Sequence, residues 1–194
     1  MSVKSILIVG VGGQGTLLAS KLLGSALVAT GTDVKVSEVH GMSQRGGSVI
    51  TYVRYAENDE KVASPIIGAG EADVILSFEL LESARYLPYL KQGGAIVTNL
   101  QRMDPMSVIT GAASYPEELE AKLRDKGAAV TAVDALALAE QAGSAKAVNV
   151  VLLGLLSTYM DIDAAVWEQT IRDGVKEKFV DINLTAFELG RQAR

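Results

Sequence analysis

The sequence predicts an α/β fold, Rossmann-like, with an open, mostly parallel sheet, helices on both faces and an antiparallel hairpin at one edge. Three observations predict it. Ser5-Ile6-Leu7-Ile8-Val9-Gly10 is apolar almost throughout, the pattern of a strand buried on both faces. It runs directly into G-x-G-x-x-G at 10–15, followed by a segment of helical period. Strand-like and helix-like segments then alternate along most of the chain, as in βαβ architectures.

After the glycines, Leu17, Leu18, Leu22, Leu23, Ala26 and Leu27 recur at helical spacing between Thr16 and Thr30, and Gly31 terminates the helix. Asp33 to Val39 reads as a second strand and Ser48 to Tyr55 as a third. A polar turn at 56–59 leads to an extended segment from Lys61 to Ile67, which is expected to pair with the third strand as the edge hairpin. Asp73 to Phe78 is strand, Glu79 to Leu90 helix, and Gly93-Gly94 opens the strand Ala95 to Asn99. Residues 100–115 look irregular. Pro116 suits the first turn of a helix reaching about Lys126, and Ala128 to Val133 returns to strand. Helices follow at 134–142, 146–160, 163–177 and 181–191. No internal repeat interrupts the pattern, and 194 residues fit one domain, 1–194.

Composition excludes several function classes. With 18 Lys plus Arg against 23 Asp plus Glu, a net charge of −5 and no basic run argue against nucleic-acid binding. The absence of cysteine excludes disulfides, thiolate-held zinc and any iron–sulfur cluster ligated by this chain's own thiolates. The stretch before Gly10 is too short for a signal-peptide core, and the apolar stretch 145–160 is interrupted by Lys146 and Asn149 and too short to span a bilayer. A cytoplasmic location without membrane contact is expected.

The turn Gly10-Val11-Gly12-Gly13-Gln14-Gly15 lies where a dinucleotide-binding motif would, between a strand and a helix. Residues without Cβ allow an anion to approach backbone N–H donors at a helix N-terminus. Glu38, 23 residues past Gly15, falls about where an acid would meet a ribose hydroxyl. Two readings stay open: contact with an anion or nucleotide at Gly10, Gly12, Gly13, Gln14, Gly15 and Glu38, or close packing of helix on strand. A free-standing NAD(P)-dependent dehydrogenase and a nucleotide-binding protein without chemistry are the corresponding alternatives.

The most unusual segment is Glu38-Val39-His40-Gly41-Met42-Ser43-Gln44-Arg45-Gly46-Gly47-Ser48, with the only histidine, a Gln-Arg pair and three glycines where a strand ends. Together with the turn 10–15, it strongly resembles the gamma component of pyruvate/2-oxoacid:ferredoxin oxidoreductases. The similarity continues through Ser64-Pro65-Ile66, Ala72-Asp73-Val74-Ile75, the Glu79, Glu82 and Arg85 helix, Gly93 to Asn99 and Asn149 to Leu155.

The resemblance implies a part in oxidative decarboxylation of a 2-oxoacid to an acyl-CoA, aryl pyruvates such as indolepyruvate being the first expected substrates. It also implies that thiamine diphosphate, Mg and [4Fe–4S] clusters belong to partner subunits, that coenzyme A is a co-substrate of the complex and that ferredoxin receives the electrons. No Gly-Asp-Gly segment with a following Asn-Asn is present to hold thiamine diphosphate, so the chain alone is expected to be inactive. Homodimer formation is a further expectation. His40, Gly41, Ser43, Gln44, Arg45, Gly46 and Gly47 are read as a loop or subunit-interface set. Arg45 has the geometry for bidentate carboxylate or phosphate recognition or for a salt bridge to Glu38. His40 has a suitable pKa for proton transfer but no evident catalytic companions. Catalytic residues stay unassigned and no metal site is expected. Glu79 and Asp104 are read as helix caps or solvated charges.

Overall fold

The computed structural model describes residues 3–40, 47–56 and 60–194, with the side chain of His40 excepted. Its strands are β1 (Val3–Val11), β2 (Asp33–His40), β3 (Ser48–Ala56), β4 (Ala72–Ser77), β5 (Leu90–Asn99) and β6 (Ala129–Val133). The α-helices are α1 (Thr16–Ala29), α2 (Leu80–Arg85), α3 (Met106–Ile109), α4 (Leu119–Asp125), α5 (Ala135–Gln141), α6 (Val148–Ser157), α7 (Ala164–Gly174) and α8 (Val180–Gln192).

The strands form one sheet in the order β2-β3-β1-β4-β5-β6. Along β1, β4, β5 and β6 every pairing is parallel, whereas β3 is antiparallel to both β1 and β2. Only β3 therefore runs against the rest, and the mostly parallel sheet expected from the sequence is present. Its antiparallel hairpin differs. β3 pairs with β2, from Asp33 opposite Ala56 to His40 opposite Val49, and not with 61–67. That segment is irregular and crosses the β2–β3 face. Val62 N–H donates to Asp33 at 2.7 Å, and Arg54 donates to the Ile66 carbonyl at 2.9 Å. Its own Val62 and Ile67 are buried. Alternating apolar residues thus mark burial here without strand pairing, which period alone does not separate.

Two cores flank the sheet. One joins Ile6, Ile8, Val53, Leu76 and Val97 to α1 and α5–α8, with Trp167 and Phe187 in tilted contact at 5.4 Å between ring centroids. The other joins Leu7, Val9, Ile75 and Ile96 to the smaller cover of α2 and α4. The mostly apolar α6 is buried from Asn149 to Ser157 and lies so close to α8 that a Cβ on Gly154 would strike the Phe187 carbonyl, and one on Gly190 the Val151 carbonyl.

Several boundaries move. The expected helix 79–90 ends at Arg85, because Pro88 turns the chain into a short 3₁₀ segment, and β5 starts at Leu90, five residues early. The helix expected from 116 starts at Leu119, after a left-handed Glu118 with φ 55°.

Candidate functional site

Five strands end on the same side of the sheet, where open α/β folds bind ligands, and β3 begins there. The glycine turn stands at this edge and is closed largely on itself. Gly12 N–H donates to the Gly47 carbonyl at 2.9 Å, and Gln14 N–H to the Val11 carbonyl at 3.2 Å. Gln14 then folds back: its Oε1 accepts from Val11 N–H at 2.7 Å, while its Nε2 donates to the Phe78 carbonyl and to Gln101 Oε1, each at 3.0 Å. One carboxamide thus ties the ends of β1, β4 and β5.

The glycines serve distinct purposes. A Cβ on Gly10 would come within 2.9 Å of both Gln14 Oε1 and Phe78 Cβ, so that position must be bare for the carboxamide to lie in the turn. Gly13 and Gly15 have φ of +99° and +83°, where L side chains are strained. Gly15 caps α1, and its carbonyl receives a hydrogen bond from Asn149 at the start of α6.

Glu38 is on the edge strand, opposite Thr51, with the whole of β3 between it and β1. At about 4.8 Å per strand, its strand is roughly 10 Å from the one that feeds the glycine turn. It faces a groove between α1 and β2 walled by Leu17, Val28 and Val36, a lining that includes none of residues 10–15. Sequence spacing brought the acid and the turn together; the inserted strand separates their elements.

Of the loop set, Gly41, Ser43, Gln44, Arg45 and Gly46 lie outside the described residues, as does the His40 side chain; the His40 backbone closes β2 opposite Val49. Gly47 is described, and its carbonyl is the acceptor for Gly12. Beside it, Ser48 donates to Glu82 Oε2 at 2.5 Å and lies 3.0 Å from the Tyr86 hydroxyl. The loop's exit is thereby fixed to both the glycine turn and α2.

Glu82 belongs to a buried acidic cluster that the sequence does not reveal. Glu79 caps α2 as expected, accepting from Glu82 N–H at 2.9 Å, yet it is only 1% exposed and its other oxygen accepts from the Tyr115 hydroxyl at 2.6 Å and Met103 N–H at 3.1 Å. Burial raises the Glu82 pKa, against the hydrogen bond from Ser48 and the Arg85 guanidinium 3.2 Å away. Burial also raises the Tyr115 pKa, reinforced by its bond to Glu79. Asp104 pairs with Arg102 at 2.7 Å, and that guanidinium lies 4.2 Å from the Tyr115 ring centroid. Glu79, Glu82, Arg85 and Asp104 line a cavity of about 200 Å³ that also touches Val11 and Ser48. Glu79 and Glu82 share the i, i+3 spacing of a cap and first turn; Tyr115 meets them through a fold contact 36 residues away.

Among the described residues no three His, Cys, Asp or Glu side chains are grouped to hold a metal ion, and no helix is long and apolar enough to cross a membrane. With no cysteine in the chain, its residues do not fit an iron–sulfur cluster.

Fold and edge together define a Rossmann-like α/β protein whose glycine turn anchors a loop. Comparison with known proteins narrows the class. Residues 5–193 match the family model described as pyruvate ferredoxin/flavodoxin oxidoreductase. The chain is 46% identical to indolepyruvate oxidoreductase subunit IorB of Thermococcus kodakarensis, and 44% to that of Pyrococcus horikoshii, in each case covering 97% of this chain and 95% of the relative. Its fold superposes on the crystal structure of a keto/oxoacid ferredoxin oxidoreductase gamma subunit from Geobacter sulfurreducens, with a TM-score of 0.70, 23% identity and coverage of 98% and 97%. The chain belongs to the pyruvate ferredoxin/flavodoxin oxidoreductase family.

Proposed function

We propose that this chain, acting as a single domain over residues 1–194, is the small subunit of a cytoplasmic 2-oxoacid:ferredoxin oxidoreductase that acts on indolepyruvate and other aryl pyruvates. The observation that carries the reading is the 46% identity, over nearly the whole of both chains, to an indolepyruvate oxidoreductase subunit. A larger subunit would hold thiamine diphosphate, Mg and the [4Fe–4S] clusters, for which this chain has no thiolates. Coenzyme A would be the co-substrate and ferredoxin the acceptor. This chain's contribution is the sheet edge that carries the glycine turn and the 38–48 loop. Gly12 and Glu82 hold the loop's base, and Ser43, Gln44 and Arg45 serve the subunit contact.

The experiment is co-expression with the large subunit from the same host, followed by indolepyruvate-dependent ferredoxin reduction. The pair is expected to be active and each subunit alone inactive. In a loop variant, residues 41–46 are replaced by six alternating Gly and Ser. This variant is expected to keep the melting temperature of the free chain, because Gly47 and Ser48 supply the described anchors, but to lose capture of the large subunit on a tagged column. Activity of the large subunit alone, or undiminished capture by the variant, would overturn the respective parts of the reading.

A further inference from the structure

A further pocket, of about 340 Å³, lies beside the first turn of α1, away from the acidic cluster. Leu18 of α1, Val175 after α7, Ile182 of α8 and Phe179, 43% exposed and with the Lys178 ammonium 4.9 Å from its ring centroid, give it apolar walls. Lys146, before α6, and Lys176, after α7, stand in its lining, and no acidic residue does. Neither lysine has a salt-bridge partner among the described residues, although Lys61 and Lys91 elsewhere do. In a chain of net charge −5, two uncompensated ammonium groups beside an apolar hollow select for an anion with an apolar body. An exposed aromatic wall favours a planar one.

We propose that this pocket binds a small aryl carboxylate, with the ring against Phe179 and Leu18 and the carboxylate between Lys146 and Lys176. The volume suits a bicyclic acid of roughly a dozen non-hydrogen atoms and is too small for a whole nucleotide coenzyme. Leu18 is three residues beyond Gly15, so occupancy would brace the same end of α1 that the glycine turn caps. The site stands on this chain's own residues and does not depend on the oxidoreductase reading.

The test is isothermal titration of the full chain with indole-3-acetate, a bicyclic aromatic ring that carries one carboxylate. Saturable one-to-one binding that weakens with added salt is expected. Indole-3-acetamide, of the same shape without the charge, should bind about tenfold more weakly, the contribution of two partly exposed ion pairs. The surface variant Lys146→Gln/Lys176→Gln should lose about the same, and Phe179→Ala should weaken both ligands alike. Equal affinity for acid and amide, an unchanged double variant, or no saturable binding would overturn the proposal. Equal affinity for inorganic phosphate would reduce the site to a generic anion contact and overturn it too.

Discussion

Gln14 shows how a single side chain can change what a familiar motif does. Its carboxamide uses both ends: the oxygen on Val11 N–H, the nitrogen on Phe78 and Gln101. Gln14→Ala leaves a partly buried donor and acceptor without partners and should cost about 2 kcal/mol in urea unfolding at unchanged m. In Gln14→Glu the second oxygen meets two acceptors, so only the protonated acid reproduces the native bonds. Its folded-state pKa is therefore raised, and its stability deficit relative to the parent should widen as the pH rises from about 4. Glu82 follows the same sign. Because burial raises its folded pKa above the unfolded value, the folded protein holds the proton longer, and this group's contribution to stability falls as the pH rises between the two values. Glu82→Gln should remove that slope from a series of pH-dependent melts. A slope unchanged by the substitution would place the titrating group elsewhere.

At the scale of elements, the α6–α8 crossing has the least tolerance. Gly154→Ala or Gly190→Ala forces backbone apart and should destabilise by about 3 kcal/mol, measured by chemical denaturation. Gly24, within α1, is the contrast: its Cβ would meet only Val36 at an ordinary 3.5 Å, so Gly24→Ala should gain up to about 1 kcal/mol. What could be read from the sequence divides along similar lines. Both-face-buried strands such as β1 and β4 announce themselves by unbroken apolar runs, and α6 by apolar residues all round. The position of β3 between β1 and β2 does not, because strand order depends on pairings that leave no periodic trace in either segment. Glu38 was accordingly placed by spacing beside a turn that is two strands away. The Gln14 clasp and the Tyr115–Glu79 bond were hidden for a related reason: each joins residues more than 30 positions apart.

For the molecule as a whole, the family places the chain among oxidoreductases, while its own motif suggests a dinucleotide. The two suggestions make opposite predictions about ligand stabilisation. With Gly12 and Gln14 N–H donors bonded to the chain's own carbonyls, millimolar NAD should leave the melting temperature unchanged, whereas a bound cofactor at 100 times its Kd would add about 2.7 kcal/mol. The β2–β3 pair also bears on how the chain reaches its final form. A hairpin closes locally in microseconds, but β3 must also join β1, whose matching residues lie 37 (Val11 to Ser48) to 53 (Val3 to Ala56) positions earlier in sequence. The pair therefore arrives as a preformed wedge. Until it docks, β1 presents an unpaired apolar edge running through Leu7 and Val9, the kind of surface on which partly folded chains adhere to one another. The glycine turn's bond to Gly47 and the Ser48–Glu82 bond lie at the end of β3 that meets Val11, and so act as the catch that keeps the wedge seated.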